Sequence, residues 1–162
     1  MTDKLKIDLV NADAITGPLQ RALARLARPR DLLQSIGAEL EANVNLRFET
    51  KTDASGAPWS PIKPITAEIW AAMHDGQSLP GSLLERTRLM RNSLAANATD
   101  DYVEVGFSAP YAGYHVTGTR KMVRRDPLFA TVNMDLSQGT LGAQDEADVL
   151  AVIDAALGAD LA

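Results

Sequence analysis

The residue types best suited to chemistry lie close together at 105–119, which reads VGFSAPYAGYHVTGT. This stretch contains Tyr111, Tyr114 and His115, the last being one of two histidines in the chain. A histidine that acts as a general base needs a nucleophile and an orienting carboxylate, and the sequence indicates neither partner. The stretch is therefore either a catalytic site around His115 or an arrangement of aromatic side chains that only packs.

The spacing of these residues favours packing. Pro110, placed after a predicted strand, is typical of the first turn of a helix, and Gly118 is typical of a helix end. In such a helix Tyr111, Tyr114 and His115 share one face, because they are three and four residues apart. We predict that these three residues form a packing signature and that none of them is catalytic.

The motifs of phosphate, metal and serine hydrolase sites are incomplete or missing. Gly113 and Gly118 have the spacing of a phosphate-binding loop, but Thr119 stands where that loop requires lysine. The two histidines form no HExxH pair, no GxSxG motif occurs, and the chain has no cysteine. We therefore expect no enzyme activity, no metal and no cofactor.

The charge of the chain is unevenly distributed, although its net value is only −5. Residues 126–162 contain seven acidic side chains and neither Lys nor Arg, whereas Arg120, Lys121, Arg124 and Arg125 fall just before them. These two regions are either separate solvated faces or the two halves of a head-to-tail contact between copies. The four basic residues are therefore candidate interface residues.

Trp59 lies in a loop over 51–64 that is rich in proline and therefore cannot be a helix or a central strand. A tryptophan in a loop more often pins that loop to the core than contacts a ligand. We favour the pinning role and keep Trp59 as a further candidate interface residue. The loops at 51–64, 74–82 and 119–126 are the expected contact segments.

Hydrophobic periodicity predicts an α+β fold, with a small antiparallel sheet packed with several amphipathic helices in a single domain, 1–162, with long loops. The predicted strands are 4–10, 94–98 and 102–107, and helices are predicted from Thr16, over 31–50 with Asp31 as its cap, from Thr66 through Met73, over 83–94 and over 143–158. The last helix is amphipathic, with a stripe of Val149, Leu150, Ile153 and Leu157. No signal peptide pattern and no run of about 18 apolar residues occurs, so we expect a cytoplasmic protein without a membrane partner.

Four separated segments form a recognisable ordered pattern: FET…DASGAPWSP…T at 48–66, LERT…SL at 84–94, VEVG…YA…H…G at 103–118 and MVRRDPLF at 122–129. In this order they resemble the phage virion morphogenesis or tail completion family of Mu-like and P2-like phages. The resemblance covers about residues 40–130. Arg88 departs from the pattern, because the family usually has glycine there, and Pro127 comes later than usual.

The resemblance implies a structural protein of the head–tail neck that completes the tail and joins it to the head as a homo-oligomeric ring, expected to be a hexamer. The implied partners are the tail tube, the head connector and, without sequence specificity, the DNA in the channel. The protein would be made in the host cytoplasm and end in the virion neck. A tail terminator, a small DNA-associated factor and an enzyme with His115 as base are the alternatives.

Overall fold

The computed structural model describes residues 29–132 and 139–161 continuously, together with Gly17, Gln20, Arg21, Ala22, Ala24 and Leu26. The elements within the continuous ranges are α1 (Arg30–Thr50), α2 (Pro64–Met73), α3 (Leu89–Asn92), β1 (Leu94–Ala98), β2 (Val103–Phe107), α4 (Ala112–Thr117), β3 (Thr131–Val132), β4 (Gly139–Thr140) and α5 (Ala143–Leu161). Strands β1 and β2 form one antiparallel pair, and β3 and β4 form another. The predicted α+β class is confirmed. The predicted strand over 4–10 and the helix start at Thr16 lie outside the described residues.

Helix α1 is the centre of the fold, because it packs against both strands of the first sheet and against α5. Val44 and Phe48, four residues apart on one face, are buried in the core, and the Phe48 ring meets the ring of Phe107 edge-on at 5.9 Å. The helix lies close to the sheet at Gly37, where an added Cβ would come within 2.8 Å of Val103. Glycine is therefore needed at this crossing.

Two predicted helix caps are wrong. Helix α1 has Pro29 at its N-cap, and Asp31 lies in the first turn without a capping hydrogen bond. Helix α2 begins at Pro64, two residues before the expected cap Thr66. Proline suits the first helical position, since its missing N–H would have no partner there.

The helix predicted over 83–94 is also wrong, because only α3 is helical in that range. Leu84 and Arg88 adopt left-handed backbone angles, with φ of 63° and 55°, and each interrupts the right-handed path. Tertiary contacts hold this shape. The Glu85 carboxylate pairs with Lys51 and with Arg91, and Leu84 packs against the core.

Helix α5 is attached to α1 by a buried ion pair between Arg47 and Asp145. Asn43 adds hydrogen bonds from Nδ2 to Asp145 at 3.1 Å and to Asp148 at 2.9 Å. Along α5 the half-buried residues that follow Asp145 include three of the predicted apolar stripe, Val149, Ile153 and Leu157. Leu150, predicted to lie in the apolar stripe, is instead 60 % exposed. In the part of the chain described here, no helix has the length and apolar character needed to cross a lipid bilayer.

Candidate functional site: a cleft beside helix α2

A cleft of about 520 Å³ opens between α2, the loop at 79–87 and the segment that contains α4. It brings together Tyr111, His115 and Arg125 from the stretches that the sequence singled out, and adds Trp70 and Arg86. The remaining lining side chains are Ile62, Thr66, Leu79, Pro80, Ser82, Leu83, Leu84 and Thr87. The lining is thus largely apolar, contains two arginines and includes no Asp or Glu.

Arg125 is the most buried charge in this lining, with 8 % of its surface exposed. Its guanidinium donates from Nε to the carbonyl of Ser60 at 2.7 Å and from Nη2 to the carbonyl of Pro61 at 2.8 Å. No carboxylate among the described residues pairs with it, and burial lowers the pKa of Arg125. The arginine therefore ties the proline-rich loop to the rest of the fold while its charge stays uncompensated.

His115 is held by packing and lacks the partners of a catalytic base. Its ring meets the Tyr111 ring edge-on at 6.1 Å, and its Nδ1 is buried without a hydrogen-bond partner. Burial and the positive charge of Arg125 lower the pKa of His115, which favours the neutral imidazole. With no carboxylate in the cleft lining to orient this ring, the site lacks the arrangement of a base and its orienting group.

Two of the three residues of the predicted packing signature lie together in the structure. The rings of Tyr111 and His115 meet edge-on, whereas Tyr114 is 60 % exposed. Helix α4 ends at Thr117 with Gly118 as its C-cap, as the sequence indicates. Because α4 is a single short helix against the core, its 114 position faces solvent.

Trp70 and Arg86 are the members of the site that sequence reasoning missed. The Trp70 indole stacks on the His74 ring with 3.7 Å between centroids, and the Arg86 guanidinium lies 5.2 Å from the Trp70 ring centre. The indole Nε1 is buried and has no hydrogen-bond partner. The four-residue spacing of Trp70 and His74 was the available signal for this stack, but nothing in the sequence places Arg86 beside it.

Helix α2 also has an exposed apolar stripe on a neighbouring face. Ile65, Ile69 and Met73 recur every four residues, and Met73 is 75 % exposed. No residue of this helix is buried. Contiguous apolar surface of this kind is typical of contact with another protein.

The predicted interface residues divide into two groups. Trp59 is 6 % exposed and packs edge-on against Phe48 at 5.6 Å, which is the arrangement of a pin between loop and core and leaves little of its surface for a partner. The Arg124 guanidinium donates to carbonyl oxygens of Val116 at 2.9 Å and Phe129 at 3.0 Å, and pairs with the buried Asp126. The Arg125 guanidinium donates to the carbonyls of Ser60 and Pro61. Arg120 and Lys121 alone of the five lie exposed at the surface.

Some carboxylates of the acidic region, 126–162, also form ion pairs inside the protein. Asp126 and Asp145 are buried and paired with arginines. Within 139–158, the exposed carboxylates are those of Glu146 and Asp154. The arginines at 21, 25, 28, 86, 88 and 91, together with the basic residues at 120–125, are those that could contact DNA phosphates. Arg91 is not free for this role, since it pairs with Glu49 and with Glu85. Arg25 and Arg28 lie outside the described residues. Within the described ranges, no three His, Asp or Glu side chains converge as a metal site.

The chain matches a family model described as the phage virion morphogenesis family over residues 10–157. Neither the curated proteins nor the solved structures give a match.

Proposed function

Because this chain belongs to the phage virion morphogenesis family, a family of structural and assembly proteins, we propose that it acts in the head–tail neck as a homo-oligomeric ring that completes the tail and joins it to the head. The family match over 10–157 is the observation that carries this proposal. It extends the resemblance from about residues 40–130 to most of the chain.

The surface of the protein supports a role in contact with other proteins. Helix α2 exposes the apolar stripe of Ile65, Ile69 and Met73, and the turn at 119–122 exposes Arg120 and Lys121. The cleft, in contrast, contains a histidine without an orienting carboxylate. Exposed apolar and basic side chains of this kind are what a protein that assembles with others requires.

Electron microscopy of lysates from a phage that lacks this gene tests the proposal. We expect filled heads beside unattached tails, as for a protein that joins the two. Tails of irregular length or with open, extended ends would instead assign the protein to tail termination. Normal virions would contradict both roles.

The ring is tested separately on the purified protein by native mass spectrometry, alone and with purified tails. A hexamer in either preparation supports the proposed assembly. A protein that stays monomeric in solution and binds tails as a single copy would contradict it.

A further inference from the structure

We propose that the cleft beside α2 binds an extended segment of a partner protein through a carboxylate side chain flanked by apolar residues. The proposal goes beyond the function proposed above, because it concerns the chemistry that the cleft recognises at whichever virion joint the protein serves. It rests on the charge, the unpaired polar atoms and the lining of the cleft.

The positive charge of the cleft favours binding of an anion. Arg125 is buried in the lining with two of its nitrogens bonded to backbone carbonyls, and its Nη1 makes no hydrogen bond to any described residue. A buried charge without a counter-ion is costly, so a carboxylate that reaches it gains both the ion pair and a charge-assisted hydrogen bond. Arg86 adds a second positive charge, and it forms no ion pair within the described ranges.

Unpaired polar atoms in the same cleft add to this preference. The Trp70 Nε1–H can only donate, and the His115 Nδ1 donates in one of its tautomers. Both atoms are buried without a partner. Burial makes each unmade hydrogen bond expensive. Since neither atom has surface open to the cleft, a peptide oxygen reaches them only when the lightly packed wall formed by α2 shifts.

The remaining lining selects a peptide over a nucleic acid. Ile62, Leu79 and Leu83 form apolar walls that suit aliphatic side chains on either side of the carboxylate. A volume of about 520 Å³ is in the usual range of small-ligand sites, about 300–1,000 Å³, and suits a few residues of extended chain. Phosphate backbones are bound instead by open surfaces with several free cations.

The test uses a defined peptide and the two tryptophans of the chain as reporters. The probe is acetyl-Gly-Leu-Glu-Leu-Gly-amide, and its partner has glutamine in place of glutamate. Nitrogen–proton NMR of the indole groups follows a titration up to about 5 mM, which detects a millimolar Kd. We expect the Trp70 signal to shift saturably, while the signal of Trp59, buried in the core, stays in place.

Variants and competing ligands decide the outcome. The glutamine peptide should bind about tenfold more weakly, as expected for loss of a charge-assisted hydrogen bond. Arg86→Gln should also weaken binding of the glutamate peptide, whereas Arg120→Gln, an exposed arginine outside the cleft lining, should not. Because Arg86 is exposed, we expect its substitution to leave the fold intact.

Several results would overturn the proposal. These are no shift of Trp70, equal binding of the two peptides, an equal shift with sodium acetate, or a larger Trp70 shift with a single-stranded decanucleotide. The last result would assign the cleft to nucleic acid. Because the titration uses no virion component, it can fail while the neck role stands, and the reverse also holds.

Discussion

Replacing Arg88 by glycine should make the protein more stable, although the substitution removes a whole side chain. Arg88 has φ of 55° and ψ of 5°, in the left-handed region, at the N-cap of α3. This conformation costs a residue with a Cβ about 1–2 kcal/mol, whereas glycine adopts it freely. An opposing effect is that glycine gives the unfolded chain more entropy, which lowers the stability of the folded protein by about 0.5–1 kcal/mol. The net expectation is a gain of about 0.5–1 kcal/mol.

The Arg88 side chain offers little to offset this gain, because it is exposed and makes no hydrogen bond or ion pair with the described residues. The backbone carbonyl of Arg88 does accept the N–H of Asn92 at 2.9 Å, and glycine keeps that bond. The family pattern that this segment resembles has glycine at this position, and the left-handed backbone gives a physical reason for it. Arginine here therefore carries a local strain that the rest of the fold tolerates.

Urea unfolding followed by tryptophan fluorescence measures the effect. We expect a higher midpoint with an unchanged m-value for Arg88→Gly, and a melting temperature higher by about 2–4 °C per kcal/mol. Arg88→Ala keeps a Cβ and should gain nothing. Leu84→Gly changes a residue with φ of 63° that packs against the core, so it should lose about 1–2 kcal/mol. The reasoning is refuted if Arg88→Gly lowers stability or if Arg88→Ala gains as much.

Three further predictions concern charged side chains. Asp145→Asn should lower the free energy of unfolding by about 3 kcal/mol, because it leaves the Arg47 charge buried without its partner; a loss below about 1 kcal/mol in urea unfolding would contradict a buried pair. Burial alone would raise the pKa of Glu85, but hydrogen bonds from Lys51, Arg91 and Ser82 outweigh it and lower this pKa from 4.5 to about 2. The lowered pKa contributes about 1–2 kcal/mol of stability after allowance for nearby solvent, and this contribution is present above pH 4.5 and lost as the pH falls toward 2. The difference in stability between the wild type and Glu85→Gln should therefore shrink over that range. A difference that does not vary with pH would refute the assignment. Reversing Arg120 and Lys121 to glutamate should weaken self-association in sedimentation while changing stability by less than about 0.5 kcal/mol, and unchanged association would exclude a contact through this turn.

The elements predicted accurately from the sequence are those in which burial of one face sets the spacing of the apolar residues. Helix α1 was expected over 31–50 and is Arg30–Thr50, and β1 was expected and found at 94–98. In these elements the local preference of the residues and their packing agree. Helix α3 shows the opposite case, since the apolar spacing over 83–94 is helical but the ion pairs of Glu85 and the packing of Leu84 hold another backbone.

The roles of Arg124 and Arg125 could not be predicted from composition. A run of basic residues usually indicates a solvated surface, yet both guanidinium groups donate to backbone carbonyls inside the fold. The proline-rich loop explains why the Arg125 guanidinium is bonded inside the fold. Prolines have no N–H, so the carbonyls of this loop lack the usual backbone donors, and Arg125 donates to two of them. Because the cleft is lined by Arg125 and by the loop that Arg125 holds, the cleft could not be predicted from the sequence either.

The absence of any buried residue in α2 has a consequence for motion. The chain before α2 is held firmly, by Trp59 in the core and by the bonds of Arg125 to Ser60 and Pro61, whereas α2 itself has little apolar burial to resist opening. Amide hydrogens of 66–73 should therefore exchange much faster than those of α1, through local opening rather than global unfolding. A protein built this way can reshape one wall of its cleft around an arriving neighbour at small energetic cost, while the sheet and α1 keep their geometry.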